Sequence, residues 1–528
     1  MTSLQSSVES VARPWAVPAG AVVVTDRRGV VDEYYFGPRA PGGAEPVGAD
    51  TLFEIGSISK IVTAMVALRL AERGLLSLDQ PIGDLLGWLA PTLKSPQITV
   101  ERLLQHSAGI LSGVEGMPDP LGQLASADPA PPSGRPPGFH YSNFGFLLLG
   151  AAAATAAGES LPDLARRLVL GPAGMEGALA AITDADRPAL AVGTQPLRTG
   201  VPWWPGDPLE AAPWLELDGA DGNVAASGRQ LAALGRLLLN RGEGVLAPQT
   251  FEAMVGRTGP GGEPLLNVQG LARSVQSRYG LGVNTEFQDG RTLLSHGGGM
   301  VGYASFLLAD PNAGRAVAVT SSANGDSPVA EAIARAVLAG AEPDLDPAHW
   351  ASGGEGRARA VQPGMTGRFG PLSVQARARG EWVELTATLD GVRSPLRWGW
   401  GDRVRADLPG TELYGLTFTG RSWACGGTVF GEEQPERADL RPWCGHFRSY
   451  TPWFPHFRVV QRSGRLLLTT PGGVESPGEE AELVPVGDGR FCIGSADAAE
   501  RIRFGGIVGG LAQWADRDGC RYSRSFTE

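Results

Sequence analysis

Residues 53–60 read FEIGSISK, which places a serine three positions before a lysine at the start of a long apolar run. Residues 61–68 are apolar nearly all round, so the sequence predicts a helix from about Ser57 to Glu72 that is buried in the centre of a domain. Side chains three positions apart share one face of a helix, so those of Ser57 and Lys60 can touch. The stretch therefore predicts a core helix that carries a polar pair at its beginning.

Lysine is rare in this chain of 528 residues, where Lys60 and Lys94 are the two lysines among 45 basic residues. A lysine can give up its proton and act as a base, whereas an arginine effectively cannot. A serine hydroxyl needs such a base to become a nucleophile, and the backbone N–H of Ser57 at a helix start can face a developing oxyanion. The alternative interpretation is structural, with Ser57 as a helix cap and Lys60 reaching out to solvent.

The composition excludes several classes of protein. The net charge is −11 and the arginines are scattered along the chain, so nucleic acid is not an expected partner. No apolar stretch approaches the roughly 18 residues of a membrane span, and residues 1–20 lack the apolar core of a secretory signal. The four cysteines, all in the last quarter, form no CxxC pair, so we expect reduced thiols and a cytoplasmic protein without a metal site or a cofactor.

Two further segments carry polar groups in a pattern that suits catalysis. Residues 136–143 read PPGFHYSN, and in an extended stretch the side chains of Tyr141 and Asn143 would face the same way. Residues 295–302 read SHGGGMVG, which we expect at the start of a strand. The glycines let a substrate lie against the strand edge, where a backbone N–H is available as a second oxyanion donor.

In this order and spacing, the three segments resemble the serine β-lactamase and penicillin-binding-protein superfamily. The resemblance is closest to the class C β-lactamase-like branch of esterases, D-aminopeptidases and DD-peptidases, whose motifs read SxxK, YxN and HxG or KTG. Residues 98–109, 141–150 and 170–175 also resemble that branch. The resemblance covers residues from about 15 to 340.

The resemblance implies a role for each matching residue. Ser57 would be the acylated nucleophile, and Lys60 and Tyr141 would act as general base and general acid. Asn143, His296 and Gly298 would bind substrate. The N–H groups of Ser57 and Gly299 would form the oxyanion hole. His296 departs from the members that act on penicillins, which mostly have a lysine there to pair with the substrate carboxylate. A histidine is largely neutral at pH 7, so this anchor is weakened, which favours esters or amides other than penicillins.

The elements along the chain predict the fold class. A hairpin is expected over residues 20–36, a helix over 229–240, and two strands over 303–308 and 315–320, with Thr99 capping a helix. Strands at both ends of the first 340 residues predict an α/β sandwich of the β-lactamase type, an antiparallel sheet flanked by helices and completed by both chain ends.

We expect a catalytic domain over residues 1–345, a linker over 346–362, and two small antiparallel β-barrels over 363–440 and 441–528. The alternative is one lipocalin-like barrel over 363–528. The two-barrel interpretation rests on an echo in the sequence, TGRF at residues 366–369 and CGHF at 444–447.

Other polar and aromatic residues are ambiguous. We expect His106 to be a structural hydrogen-bonding residue rather than a catalytic one. Trp203, Trp204 and Trp214 either line a pocket or pack an insertion down.

Three functions remain open at this stage. The first is a serine hydrolase that acts on a small ester, amide or short peptide through an acyl-enzyme, in the manner of an esterase or a D-aminopeptidase. The second is a thioesterase or macrocyclase of the penicillin-binding-protein type, which transfers a peptidyl group to an amine. The third is a binding or sensor module without turnover. The sequence leaves the oligomeric state undetermined.

Overall fold

The structure is a computed structural model that describes residues 2–89, 96–110, 138–266, 271, 274–343, 366–369, 372–379, 382–398, 403–408, 414–418, 422–430, 437–451, 453–476, 478–498, 500–517 and 520–525. Lys94 and the expected linker at 346–362 lie outside these residues. The chain divides into two compact units. The first comprises Met1–Arg13, Val17–Gln195 and Glu210–Pro343, and the second comprises Pro14–Ala16, Pro196–Leu209 and Asp344–Glu528.

The described residues of the first unit include the predicted core helix and eight other helices. They are α1 (Leu4–Ala12), α2 (Ser59–Glu72), α3 (Ile82–Leu85), α4 (Val100–Leu104), α5 (Asn143–Ala157), α6 (Leu161–Ala165), α7 (Gly228–Leu239), α8 (Pro248–Gly256) and α9 (Pro328–Ala339). Short 3-10 turns cover Gly56–Ile58 and Asp184–Ala189, and a π-helical turn covers Arg166–Leu170.

The strands before residue 344 form one large sheet and two small ribbons. They are β1 (Gly20–Asp26), β2 (Val30–Phe36), β3 (Phe53–Glu54), β4 (Thr194–Pro196), β5 (Leu209–Ala211), β6 (Ala225–Ala226), β7 (Gln276–Tyr279), β8 (Asn284–Gln288), β9 (Arg291–Met300), β10 (Tyr303–Asp310) and β11 (Arg315–Ser321). The seven-stranded sheet has the order β2-β1-β11-β10-β9-β8-β7, and β3 pairs with β6 and β4 with β5.

The sheet confirms the predicted α/β sandwich, because strands from the two ends of the unit pair with each other in it. β1 runs antiparallel to β11 from the pair Gly20 and Ser321 to the pair Asp26 and Arg315, and β1 and β2 form the expected hairpin. Helix α7 packs on β1, β10 and β11, while α9 covers β10 and β11 and contacts α1. The hairpin, the helix expected at 229–240 and both expected strands are thus confirmed within a few residues.

Helix α2 lies in the core as predicted, but it begins at Ser59 rather than at Ser57. Ser57 lies in the 3-10 turn that precedes it. From Ser59 to Leu68 every residue of α2 is buried, which explains why its sequence shows no polar face. The expected cap is also confirmed, since the Thr99 side chain accepts a hydrogen bond from the N–H of Arg102.

The second unit contains two β assemblies. The first is an eight-stranded sheet of β12 (Thr366–Phe369), β13 (Leu372–Arg379), β14 (Trp382–Leu389), β15 (Val392–Trp398), β16 (Arg403–Ala406), β17 (Leu416–Phe418), β18 (Trp423–Cys425) and β19 (Thr428–Val429) in sequence order. A 3-10 turn, Arg441–Trp443, precedes the second assembly. That assembly is a closed barrel of β20 (Gly445–Arg448), β21 (His456–Arg462), β22 (Arg465–Thr469), β23 (Glu480–Gly487), β24 (Arg490–Ile493), β25 (Arg501–Val508), β26 (Leu511–Arg517) and β27 (Cys520–Arg524).

The echo noted in the sequence falls on the first strand of each assembly, β12 and β20. The barrel closes because β27 pairs with β20, at Phe447 and Arg524. The C-terminal region is therefore all-β, as expected, and one of its two assemblies is a closed barrel. The domain boundaries at 345, 362 and 440 stay predictions.

Two of the three tryptophans in the 203–214 segment are buried, and whether any of the three lines a pocket stays a prediction. Trp203 and Trp204 are 4% and 1% exposed and belong to the second unit. The Trp204 ring lies 5.3 Å from the guanidinium carbon of Arg405, and the Trp203 indole N–H donates to the carbonyl of Asp207. Trp214 belongs to the first unit, where its ring lies 5.4 Å from the guanidinium carbon of Arg187.

The four cysteines, all within the described residues, form no disulfide. Of the helices that the structure describes, none is by itself long and apolar enough to span a membrane. The segments Asn143–Ala157 and Leu161–Leu170 are long and apolar enough only when taken together, and the chain bends by 82° between them.

Candidate active site

The predicted nucleophile and base lie side by side. Lys60 Nζ is 2.9 Å from Ser57 Oγ, and the lysine side chain is 0% exposed. The turn that carries Ser57 is closed by a hydrogen bond from the N–H of Ile58 to the carbonyl of Ile55. The burial of Lys60 contradicts the alternative interpretation, in which its ammonium group would reach solvent.

Three side chains of α2 bind the backbone of one segment, residues 220–224, in which residues 220–222 form a turn. Lys60 Nζ donates to the carbonyl of Asp221 over 2.9 Å, Thr63 Oγ1 donates to the carbonyl of Ala220 over 2.7 Å, and Ser59 Oγ accepts from the N–H of Val224 over 3.0 Å. Asp221 was not predicted as a site residue. It contacts Lys60 through a backbone carbonyl, which leaves no pattern in the sequence.

This arrangement suits proton transfer from serine to lysine. A neutral amine has two N–H groups and one lone pair, so Lys60 can donate to the Asp221 carbonyl while its lone pair accepts the Ser57 proton. After transfer, the ammonium keeps both contacts with the direction of one hydrogen bond reversed. The geometry therefore permits Ser57 to be deprotonated by Lys60 without movement of either side chain.

The glycines of β9 allow the strand to lie directly against the nucleophile turn. A Cβ atom on Gly298 would be 2.0 Å from the carbonyl oxygen of Ile55, and one on Gly56 would be 2.6 Å from the carbonyl oxygen of Gly299. Gly56 also has a φ of +50°, which favours glycine. Ser305 Oγ donates to the carbonyl of Ile55 over 2.8 Å and fixes the turn against the sheet.

The glycine contacts bring the peptide of Gly299 next to the Gly56 and Ser57 peptides, where the predicted oxyanion hole would lie. The expected position of this segment within its strand was wrong, because residues 295–300 form the second half of β9 rather than its start. The glycines of β9 therefore allow the strand to contact the nucleophile turn, in addition to leaving room for a substrate.

His296 is held in one neutral form by two contacts. Its Nδ1 lies 2.6 Å from the carbonyl oxygen of Gly297, and its Nε2 lies 2.6 Å from the hydroxyl oxygen of Tyr279. A carbonyl oxygen only accepts, so the ring proton is on Nδ1 and Nε2 accepts the Tyr279 proton. Burial, and then the charge of Lys60, lower the pKa of His296 to about 3.

A buried ion cluster supports β9 at the residue before His296. Both oxygens of the Glu286 carboxylate accept from Arg335 Nη2, over 3.0 and 2.9 Å. The same carboxylate accepts from the hydroxyls of Ser274 and Ser295. Every oxygen of Glu286 is thus occupied, which is the condition under which a buried charge stabilises its surroundings.

Tyr141 lies close to both Lys60 and His296. Lys60 Nζ is 4.9 Å from the centre of the Tyr141 ring, and the Tyr141 and His296 ring centres are 6.4 Å apart. Ser142 caps α5 by accepting from the N–H of Gly145, so Asn143 is the first residue of that helix. The expectation that Asn143 continues an extended stretch was therefore wrong, although it does follow the Tyr141 segment directly.

Glu54 is a buried acid near the nucleophile that the sequence reasoning did not single out. It is 3% exposed, and its Oε2 has no hydrogen-bond partner among the described residues. Burial raises the pKa of Glu54 to about 8, so its carboxyl is protonated at neutral pH. A glutamate within an apolar stretch, three residues before the serine, was the available signal.

The site as a whole joins three separate parts of the chain. Ser57, Lys60, Tyr141, His296, Gly298 and Gly299 come together, as the motif order suggests, and Tyr279 and Asp221 are added by the fold. The Beta-lactamase family model matches residues 9–342, which include all of them. The chain belongs to the Beta-lactamase family.

Two curated relatives match this chain over part of their length. Over 236 residues the chain is 30% identical to esterase EstB of Burkholderia gladioli, which covers 39% of this chain and 56% of that protein. Over 322 residues it is 26% identical to the unguisins hydrolase ungD' of Aspergillus campestris, which covers 57% of this chain and 58% of that protein. The chain thus spans a little more than half the length of these relatives.

The fold is similar to that of the octameric penicillin-binding protein homologue from Pyrococcus abyssi, with a TM-score of 0.57 and 20% identity over 88% of this chain and 97% of that chain. This likeness supports the β-lactamase-type fold and the arrangement in which a β region follows it.

Proposed function

We propose that this member of the Beta-lactamase family is a serine hydrolase that cleaves an ester or amide through an acyl-enzyme at Ser57. The observation that carries the proposal is the contact between Lys60 Nζ and Ser57 Oγ, with the lysine fully buried. A buried amine in contact with a serine hydroxyl is an arrangement that activates the serine as a nucleophile.

The proposed reaction has two steps. Lys60 takes the Ser57 proton as Oγ attacks the substrate carbonyl, and the N–H groups of Ser57 and Gly299 stabilise the negative charge that develops on its oxygen. The proton passes to the leaving alcohol or amine, with Tyr141 and Lys60 as the transferring groups. Water then attacks the acyl carbonyl while Lys60 and Tyr141 take a proton from the water. They pass this proton to Ser57 Oγ as its bond to the acyl carbon breaks, which releases the acid.

The state of His296 bears on the substrate class. Both ring nitrogens are engaged within the protein and the ring is neutral, so the position offers no cation to a substrate carboxylate. We propose that the acyl donor carries no carboxylate at this position, as in simple esters and in amides with a free amino group. The names of the two relatives, an esterase and a hydrolase of unguisins, are consistent with this class. A direct contact between the His296 ring and substrate stays a prediction.

A substrate panel tests this assignment. The wild type and Ser57→Ala are compared on p-nitrophenyl esters of short acids, on D-alanyl p-nitroanilide and on a chromogenic cephalosporin. We expect kcat/KM for the best ester or anilide to exceed that for the cephalosporin by at least about 10³-fold, since the loss of a charge-assisted ion pair to the substrate carboxylate costs several kcal/mol in a buried site. Comparable rates on the cephalosporin would contradict the substrate class, and full activity of Ser57→Ala would contradict the mechanism.

The same assay tests the acceptor. With an added amine such as glycinamide, a hydrolase releases mainly the free acid, whereas a transferase releases mainly the amide. A predominant amide product would favour the alternative of transfer to an amine.

A further inference from the structure

The backbone on both sides of Tyr141 is bound by one residue. The N–H of His140 donates to the carbonyl of His106 over 2.8 Å, and the N–H of Ser142 donates to Nδ1 of the same histidine over 3.0 Å. Residues 138–142 belong to no strand or helix, so no regular ladder of hydrogen bonds fixes this part of the chain. His106 therefore contacts the residue before Tyr141 and the residue after it.

The imidazole of His106 also packs on the ring that it helps to place. The ring centres of His106 and Tyr141 are 4.3 Å apart, and those of Phe146 and Tyr279 lie 5.0 and 4.6 Å from His106 on other sides. The His106 side chain is 2% exposed. Rotation of the Tyr141 ring away from Lys60 is thus opposed by a buried aromatic neighbour as well as by the fixed backbone.

The backbone of His106 is adapted to this double contact. Its φ of +52° lies in the left-handed region, which is uncommon for residues other than glycine, although asparagine, aspartate and histidine adopt it more often than the rest. A buried residue with this backbone conformation indicates that other contacts compensate for the strain. The two hydrogen bonds to the Tyr141 segment are the contacts that this turn makes possible.

The contact with Ser142 requires an unprotonated Nδ1, because only the lone pair can accept an N–H. Burial, followed by the positive charge of Lys60 and by the nearby His296 and His140, lowers the pKa of His106 well below its usual value. The imidazole therefore remains an acceptor at every pH at which the enzyme is expected to work.

We propose that His106 is a positioning residue for Tyr141: it holds the tyrosine ring beside Lys60, whose Nζ lies 4.9 Å from the ring centre, and it acts on the reaction only through Tyr141. The inference rests on the proposed function, in which Tyr141 shares proton transfer with Lys60. It assigns to His106 a part in catalysis without contact between His106 and the reacting atoms.

Two substitutions separate the ring contact from the backbone turn. His106→Asn tolerates the left-handed turn, and its Oδ1 can take the place of Nδ1 as acceptor for the Ser142 N–H. His106→Gly tolerates the same turn but offers no acceptor and no ring. On the best ester of the panel, we expect His106→Gly to lower kcat by about 10- to 100-fold, the scale of a misplacement near 1 Å, with KM changed less than about threefold. His106→Asn should recover most of that loss.

A double-substitution cycle with Tyr141→Phe distinguishes positioning of Tyr141 from a purely structural role, in which the loss of kcat would not depend on Tyr141. If His106 acts through Tyr141, both His106 variants should have the kcat of Tyr141→Phe when they are made in that background. Equal losses of kcat in both backgrounds would overturn the inference, as would a glycine variant as active as the asparagine variant.

Two further results keep the test decisive. If His106→Gly fails to fold, His106→Gln replaces it in the comparison with His106→Asn. The amide oxygen of asparagine is as far from the backbone as Nδ1 of histidine, whereas that of glutamine is one bond farther and misses the Ser142 N–H. A glutamine variant with the same kcat as the asparagine variant would overturn the inference. If Tyr141→Phe alone leaves kcat unchanged, the role of Tyr141 in the proposed function is wrong and the inference falls with it. If Tyr141→Phe lowers kcat but the His106 effects simply add, the proposed function stands and only the inference is overturned.

Discussion

At the scale of single residues, the nucleophile is placed by neighbours that have no acid–base chemistry of their own. The glycines of β9 let the strand touch the turn that carries Ser57, and the Asp221 carbonyl holds Lys60 in contact with it. Catalytic geometry in this site therefore depends on positions where a side chain is absent or where only the backbone participates.

The substitution Gly298→Ala tests the close approach of β9 to the nucleophile turn. Its Cβ would be 2.0 Å from the carbonyl oxygen of Ile55, so strand and turn must separate. We expect a loss of about 1–3 kcal/mol in the free energy of unfolding and a fall in kcat/KM of about 10²-fold or more. Gly29→Ala is the matched control, since nothing lies within 4 Å of its added Cβ. A Gly298→Ala enzyme with normal kcat/KM would contradict the described contact.

The substitution Glu54→Gln tests the protonated state of the buried acid. The pKa of Glu54 is raised from 4.5 to about 8 by burial, so the folded state keeps a proton that the unfolded state releases, and stability is lost as pH rises between these values. Glutamine resembles the protonated acid, so the variant should match the wild type near pH 5 and exceed it at pH 9, by at most about 5 kcal/mol in the free energy of unfolding.

The measurement for Glu54 is chemical denaturation at both pH values. Glu176→Gln, at an exposed glutamate, is the control and should show no such pH-dependent gain. An equal difference between Glu54→Gln and the wild type at pH 5 and pH 9 would show that Glu54 does not titrate in this range.

At the scale of elements, α2 and the segment at 220–224 act as one unit, because three side chains of the helix bind the backbone of the segment. Thr63→Val removes the donor to the Ala220 carbonyl, which is then buried without a partner, at a cost of about 1–3 kcal/mol. The next carbonyl, that of Asp221, holds Lys60, so kcat/KM should fall by about tenfold or more.

Thr63→Ser is the matched control for this prediction, since it keeps the hydroxyl and should keep kcat/KM within about threefold. Thermal unfolding and ester kinetics of the two variants provide the comparison. Equal kcat/KM for the valine and serine variants would show that the segment does not position Lys60.

The elements differ in how far the sequence predicts them. The apolar run of α2, the hairpin at 20–36 and the two strands at 303–320 follow from periodicity and turn residues, and the structure confirms them. The start of β9 was predicted too late. Asp289 and Gly290, both with positive φ, form the two-residue turn between β8 and β9, and an Asp-Gly pair between extended runs is a strong hairpin signal that would have placed it correctly.

The remaining gaps in the site have a physical reason. Tyr279 meets His296 from a neighbouring part of the sheet, and Asp221 contributes a carbonyl that any residue could supply. Neither contact follows from the spacing of residues in the sequence, so neither could be predicted without the fold. The start of α5 was readable, because a serine before an apolar run is a helix cap, and Ser142 caps the helix that begins at Asn143.

At the scale of the whole molecule, buried titratable groups predict a stability maximum in mildly acidic solution. Burial lowers the pKa of His106 well below 6.5, that of His296 to about 3 and that of His456 to about 4, so stability is lost as pH falls below 6.5. Burial raises the pKa of Glu54 to about 8 and that of Glu331 to about 7, so stability is lost as pH rises above 4.5. The two effects oppose each other between these limits.

Each proton that one state binds in excess changes stability by about 1.4 kcal/mol per pH unit. We therefore expect the thermal unfolding temperature to be highest between about pH 5 and 7 and to decline on both sides. Thermal melts from pH 3.5 to 9.5 at constant ionic strength provide the measurement. A midpoint that still rises above pH 8 would contradict the assignment of buried, protonated carboxyl groups.

The central claim of the account is that Ser57, activated by Lys60, becomes acylated during turnover. Intact-mass spectrometry of the full chain, acid-quenched within the first turnovers of a p-nitrophenyl ester, tests it most directly. The account predicts a mass increase equal to one acyl group, located by peptide mapping at Ser57, absent in Ser57→Ala and strongly reduced in Lys60→Arg, whose guanidinium cannot serve as a base. Turnover of the ester by Ser57→Ala at the wild-type rate, with no adduct on Ser57 in the wild type, would contradict it.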